Sequence, residues 1–152
     1  MLAPMTVDDI QRLGDVMEPL SGRDQVALFH DEEAMDTLRH SLKKIASDEL
    51  VTEFVGDADG FTGTFKGIDG FIEGWRDFSE TFEHLITTIT EVLPLGDKVV
   101  VLSNLRGKTA TGGVEMSKDS AGVFTFEDGE VKKAGFFLDR KAALLAAGVN
   151  PG

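Results

Sequence analysis

The most constraining stretch of the chain is FEDGEV at 126–131, an Asp-Gly pair set between two alternating apolar runs. Asp128 and Gly129 both tolerate a positive φ, so the pair predicts a tight hairpin joining strands over 123–126 and 131–138. The second strand runs into a short Ala/Leu helix, for which Asp139 is the N-cap and Gly148 the stop. This stretch narrows the fold. It names no reaction.

Upstream, Thr6 and Asp9 stand at capping-box spacing, and Val7, Ile10, Leu13, Met17 and Leu20 recur at helical intervals. Residues 25–29 read as one or two helical turns. Asp31 then caps a clearer helix with Met35, Leu38, Leu42 and Ile45 as its buried stripe. Strands follow over 50–55 and 61–65, joined by GDADG at 56–60. GIDG at 67–70 opens an amphipathic helix that places Phe71, Trp75, Phe78 and Phe82 on one face. The pattern then turns to β, with a strand over 82–93, a turn over 94–97 and a long strand over 98–109. After a break at 111–113, a further strand spans 114–126. Helices first and antiparallel strands after make one α+β domain over 1–152, with 1–30 as an N-terminal helical segment.

Composition excludes several partners. A net charge of -12 argues against nucleic acid and against an anionic membrane surface, both of which need a basic face. With no cysteine there is no disulfide, thiolate catalyst or zinc finger. The acids near the N-terminus do not suit a signal peptide, and no apolar run approaches a membrane span, so a cytoplasmic location is expected. DADG at 57–60 lacks the further acids of a calcium loop. Gly63, Gly67, Gly70 and Gly74 follow no phosphate-loop pattern, and His30, His40 and His84 have no metal-ligand spacing. No metal and no cofactor are expected.

Five motifs in order carry a resemblance: GTFKG at 63–67, GDKVVV at 96–101, RGKTATG at 106–112, FEDGEV at 126–131 and LDRKAALLAAG at 138–148. Over 46–148 the chain resembles the SnoaL-like group of the nuclear-transport-factor-2-like superfamily. The first thirty residues depart from that group's usual helical opening. The resemblance implies a cone-shaped barrel, a curved antiparallel sheet wrapped around N-terminal helices with a pocket in its mouth. Polyketide cyclases, ketosteroid isomerase, limonene-epoxide hydrolase and several dehydratases share that fold, so function has to be argued from the pocket.

The resemblance also says where catalytic groups belong. The inward Asp of the cyclases and the epoxide hydrolase falls at Phe136, and the cyclase His falls at Ala134. The Arg-x-Asp pair of the epoxide hydrolase falls at Ser103 and Leu105, and the chain has no Tyr for the donor of ketosteroid isomerase. The implied pocket is therefore apolar, walled by Trp75, Phe78, Ser103, Leu105, Ala134, Phe136 and Leu138. Trp75 reads equally as plain core. His84 and Glu115 remain as candidate catalytic acid and base; the ordinary readings are a packed strand histidine and a solvated edge carboxylate. Asn104 and Arg106 share the strand face opposite Ser103 and Leu105.

Three readings stay open. The protein binds a small apolar ligand of steroid or polyketide size, or it is an isomerase, cyclase or hydrolase using His84 with Glu115, or it is a dimeric scaffold without a ligand. A homodimer is expected in any case, because both sides of the strand over 98–108 carry large side chains and its outer side needs cover.

Overall fold

The computed structural model of the chain describes residues 6–56 and 62–149. Helix α1 (Val7–Met17) opens on the capping box: the Thr6 N–H donates to the Asp9 carboxylate at 2.9 Å, and the Asp9 N–H donates to Thr6 Oγ1 at 3.1 Å. A 3-10 turn, Glu18–Leu20, leads to α2 (Gln25–Leu28) and then to α3 (Glu32–Ile45). The Asp31 carboxylate accepts the Glu33 and Ala34 amides at the head of α3. This helix passes without a loop into β1 (Ala46–Val55), four residues earlier than the apolar pattern suggests, and β2 (Gly63–Lys66) returns beside it. The turn expected over 56–60 and the strand start expected at Phe61 fall largely outside the described residues.

Helix α4 (Gly67–Ser79) is followed by four strands, β3 (Phe82–Leu95), β4 (Lys98–Thr109), β5 (Glu115–Glu127) and β6 (Glu130–Phe137), and by α5 (Arg140–Ala146). The six strands form one curved, unclosed sheet in the order β2-β1-β6-β5-β4-β3. Asp128 and Gly129 turn the β5–β6 hairpin with φ of 52° and 80°, both in the left-handed region that the Asp-Gly pair tolerates. Every neighbouring pair is antiparallel except β1 and β6, which run parallel. The all-antiparallel expectation fails there because strand direction is set by the number of chain reversals between the two, not by any residue they carry. Pro94, expected in a turn, lies within β3 opposite Val99. As an edge strand, β3 can hold a residue without an N–H.

Alternation along the strands sorts side chains between two faces. Helices α1, α3 and α4 cover one face, and the main core lies between them, with Leu13, Met35, Leu42, Phe71 and Trp75 packed on Phe54, Val99, Leu105, Phe124 and Ala134. The other face carries a smaller core in which α5, through Ala143, covers Val100, Ala121 and Val123. No described helix is long and apolar enough to cross a membrane.

Arg12 ties α1 to the rest. Its guanidinium donates to Asp9 at 2.6 Å, to the Lys44 carbonyl at 3.1 Å and to the Gly129 carbonyl at 3.1 Å. The Thr6 N–H holds the Asp9 carboxyl below its ordinary range against the opposing push of burial, and Arg12 adds to the lowering. A carboxylate with a depressed folded pKa stabilises fully above its unfolded pKa of about 3.9, and the contribution is lost as pH falls through the folded value. Asp9→Asn should therefore cost about 1–2 kcal/mol at neutral pH and progressively less below about pH 4. Urea unfolding of both proteins across that range tests this; a gap that does not shrink in acid would refute it.

Candidate functional site

The face of the sheet that meets the helices encloses a cavity with room for about 60 Å³. Helix α4 supplies Trp75 and Phe78, and β1 supplies Phe54. The opposite walls are Thr87 and Ile89 of β3, Val101, Ser103 and Leu105 of β4, Ser120 and Phe124 of β5, and Phe136 of β6 with Leu138 just beyond it. Met17, the last residue of α1, closes one side.

Of the residues that the sequence singles out, Trp75, Phe78, Ser103, Leu105, Phe136 and Leu138 line this one cavity. Ala134 does not. It shares the inward face with Phe136, but one step further along β6 it is wholly buried against Leu13, Leu42 and Phe71. His84 and Glu115 are exposed and touch no part of the cavity. In register His84 faces Lys108 and Lys108 faces Glu115, so the two stand on either side of β4 at the far end of the sheet. A bulge between Phe82 and His84 resets the alternation: Phe82 and Leu85 turn inward and His84 outward. The sequence reading missed Met17, Phe54, Thr87, Ile89, Val101, Ser120 and Phe124. Only Ser120 carried a usable signal, since pairing the two long strands sets it opposite Ser103.

Aromatic packing explains why the cavity is small. Trp75 stacks on Phe29 with centroids 5.8 Å apart and meets Phe54, Phe78 and Phe136 edge-on at 5.4, 5.7 and 4.8 Å. Helix α4 comes this close because residue 74 is glycine. A Cβ there would stand 2.7 Å from a Phe54 ring carbon and 2.8 Å from one of Phe65. Drug-sized pockets run to about 300–1,000 Å³, so a steroid-sized body does not fit this space as it stands.

The wall is apolar except for a few donors. Ser103 and Ser120 share a buried hydroxyl–hydroxyl bond of 2.8 Å. On the other face of β4, Arg140 at the head of α5 donates to the Ser103 carbonyl at 2.8 Å. Trp75 Nε1 and Thr87 Oγ1 are buried without a hydrogen-bond partner. An unpaired buried polar group costs about 1–3 kcal/mol, so the packing here is made at the expense of these two donors. Among the described residues no charged or titratable side chain lines the cavity, and no three acids or histidines stand together as metal ligands.

A family model described as SnoaL-like domain matches residues 33–134. No curated protein sequence matches the chain. Solved structures share its fold. A putative SnoaL-like polyketide cyclase from Jannaschia sp. CCS1 superposes with a TM-score of 0.60 at 20% identity, over 97% of this chain and 98% of that one. A nuclear-transport-factor-2-like protein of unknown function from Burkholderia pseudomallei gives 0.60 at 16% identity, over 92% and 97%. TerC, co-crystallised with polyporic acid, gives 0.59 at 17% identity, over 92% and 98%. At these identities the likeness is one of fold.

The serine pair makes a prediction of its own. Ser103→Ala leaves the Ser120 hydroxyl buried without its partner and should cost about 1–3 kcal/mol. Removing both hydroxyls should cost less than the sum of the single changes by about 1 kcal/mol. Denaturant unfolding of the four proteins in the cycle measures this, and strictly additive values would mean the bond is not made.

Proposed function

This chain belongs to the SnoaL-like domain family, and we propose that it serves as a binding protein, holding part of a small apolar molecule in the cavity beside Trp75. The observation that carries the reading is the wall itself. It is apolar, and Phe136 stands where the resemblance places the family enzymes' carboxylate, with Ala134 where it places their histidine. General acid–base catalysis needs a titratable group within hydrogen-bond reach of the substrate. His84 and Glu115 lie outside the cavity, which favours binding over an isomerase, cyclase or hydrolase built on that pair. Small-molecule capture also fits the solved neighbour co-crystallised with polyporic acid.

The size of the space limits what enters. An engineered cavity of about 150 Å³ accepts benzene, and this one is less than half as large. Only the end of a ligand is enclosed. Apolar burial at about 25 cal/mol per Å² then leaves weak binding once association costs are met, in the millimolar to micromolar range.

The homodimer belongs to the same reading, with its surface narrowed. Helix α5 already covers Val100 and its neighbours on the outer side of β4. What remains open there is polar, Asn104 and Arg106 flanked in register by Thr88, Ile86, Asp119 and Ser117. Pairing across this strip would be a polar, moderate contact. Light scattering after gel filtration should give twice the chain mass; a monomer at micromolar concentration removes the dimer from the reading.

Trp75 is the only tryptophan, so emission reports the cavity directly. Short apolar probes such as butanone and pentane should shift it, and Phe136→Asp should weaken them at least tenfold, because an unpaired carboxylate is costly in an apolar site. If no probe moves the emission, or if Phe136→Asp binds as well as the parent with its fold intact, the binding reading is wrong.

A further inference from the structure

We infer that Ser103 and Ser120 form the polar anchor of the cavity and select a neutral ligand whose enclosed end carries a hydroxyl group. The inference rests on the binding reading above and specifies its ligand.

The pair is the polar feature that the wall offers. Alternation puts Ser103 on the inner face of β4 with Val101 and Leu105, and Ser120 on the inner face of β5 with Gly122 and Phe124. In register the two serines stand directly opposite each other, and both line the cavity. A serine side chain is one methylene and one oxygen, so on that face it has little besides its hydroxyl to present. The two residues keep 6% and 5% of their surface open, whereas Trp75 Nε1 and Thr87 Oγ1 are closed off by packing.

Stability does not account for two hydroxyls at this place. Among the described residues their hydrogen bond is to each other, at 2.8 Å. Replacing both partners of such a bond by apolar groups of the same shape is close to neutral, and the rest of this wall is apolar. The bond also leaves capacity unused. Two hydroxyls carry two protons and four lone pairs, and their mutual bond spends one of each. One proton and three lone pairs remain, on neighbouring oxygens. A third hydroxyl is the complement: its oxygen accepts the spare proton, and its own proton goes to a spare lone pair. A carbonyl or ether oxygen uses the proton alone. A hydrocarbon uses neither.

Size and charge limit the rest. A space of about 60 Å³ equals two water volumes of about 30 Å³ each, which suits a hydroxymethyl end. No charged side chain lines the cavity among the described residues, so an ionised end would enter without a counter-charge.

Three probes of equal heavy-atom count, pentane, butanone and 1-butanol, test this through Trp75 emission, with propionate as the ion. Each neutral probe's affinity is taken relative to its own partition from water into hydrocarbon, which removes the cost of leaving water. On that scale 1-butanol should exceed pentane at least tenfold in the parent protein, with butanone between them. Changing Ser103→Ala and Ser120→Ala together should cost 1-butanol about tenfold and butanone about threefold. Pentane should stay within about twofold in that variant, which also shows that the cavity is intact. Either single change should keep most of the alcohol's affinity, because one remaining hydroxyl can still give and take a hydrogen bond. Propionate should bind the parent at least tenfold more weakly than 1-butanol. The inference is overturned if 1-butanol falls on the pentane value in the parent, a comparison that needs no variant to fold. Equal losses for 1-butanol and butanone in the double variant, or propionate binding as well as the alcohol, overturn it too and leave the cavity reading standing. If pentane fails along with 1-butanol, the binding reading falls, and this inference with it.

Discussion

The contacts of the Trp75 ring set the geometry of everything around the cavity. Its stack on Phe29 fixes the helical layer, and its edge-on contact with Phe136, the closest of the set at 4.8 Å, fixes the distance from that layer to the sheet. Gly74 makes the approach sterically allowed, and Phe54 and Phe78 close it from either side. A bulky indole at this point leaves little empty volume behind it, so the space between helices and sheet is a narrow slot. The same packing strands the indole N–H among phenyl rings, where nothing can accept its proton.

Much of this layout was legible from the residues. The capping box at Thr6 and Asp9, the Asp128-Gly129 turn and the full span of β4 follow from local patterns, because caps, turns and period-two alternation are local physics. What was not legible is non-local. Nothing in β1 or β6 announces a parallel pairing. Alternation puts Ala134 and Phe136 on one face correctly, but depth along the strand decides that one meets α1 and α3 and the other meets the cavity. His84 shows a third limit. A one-residue bulge inverts which side chains point inward, and no residue type near it reports the bulge.

The polar groups of the site divide the same way. Ser103 could be found from its strand, and Ser120 from the register, yet Thr87 and Met17 enter only through the approach of α1 and the α1–α2 connection to the edge of β3. That connection is built from backbone and short side chains: the Gly22 N–H donates to the Thr87 carbonyl at 2.9 Å, and Ser21 Oγ accepts the Ile89 N–H at 2.9 Å. Such contacts cover an edge that would otherwise offer unpaired backbone groups, and they hold Thr87 and Ile89 in place beside the cavity. Edge protection and site construction are one set of bonds here.

The placement of β1 bears on how the chain is made. In the finished sheet β1 lies between β2 and β6, and Arg12 reaches from the first helix to the carbonyl of Gly129, 117 residues away. Chains emerge from the ribosome N-terminus first, so β1, β2 and α4, with Phe54, Phe71 and Trp75 among them, are made well before the strand that completes their sheet. Contacts of such long sequence separation form slowly, since the loop they close must lose its freedom before any packing rewards it. The nascent protein therefore carries an aromatic, unpaired strand edge until the last hairpin is released, and such an edge is a template for pairing with another chain.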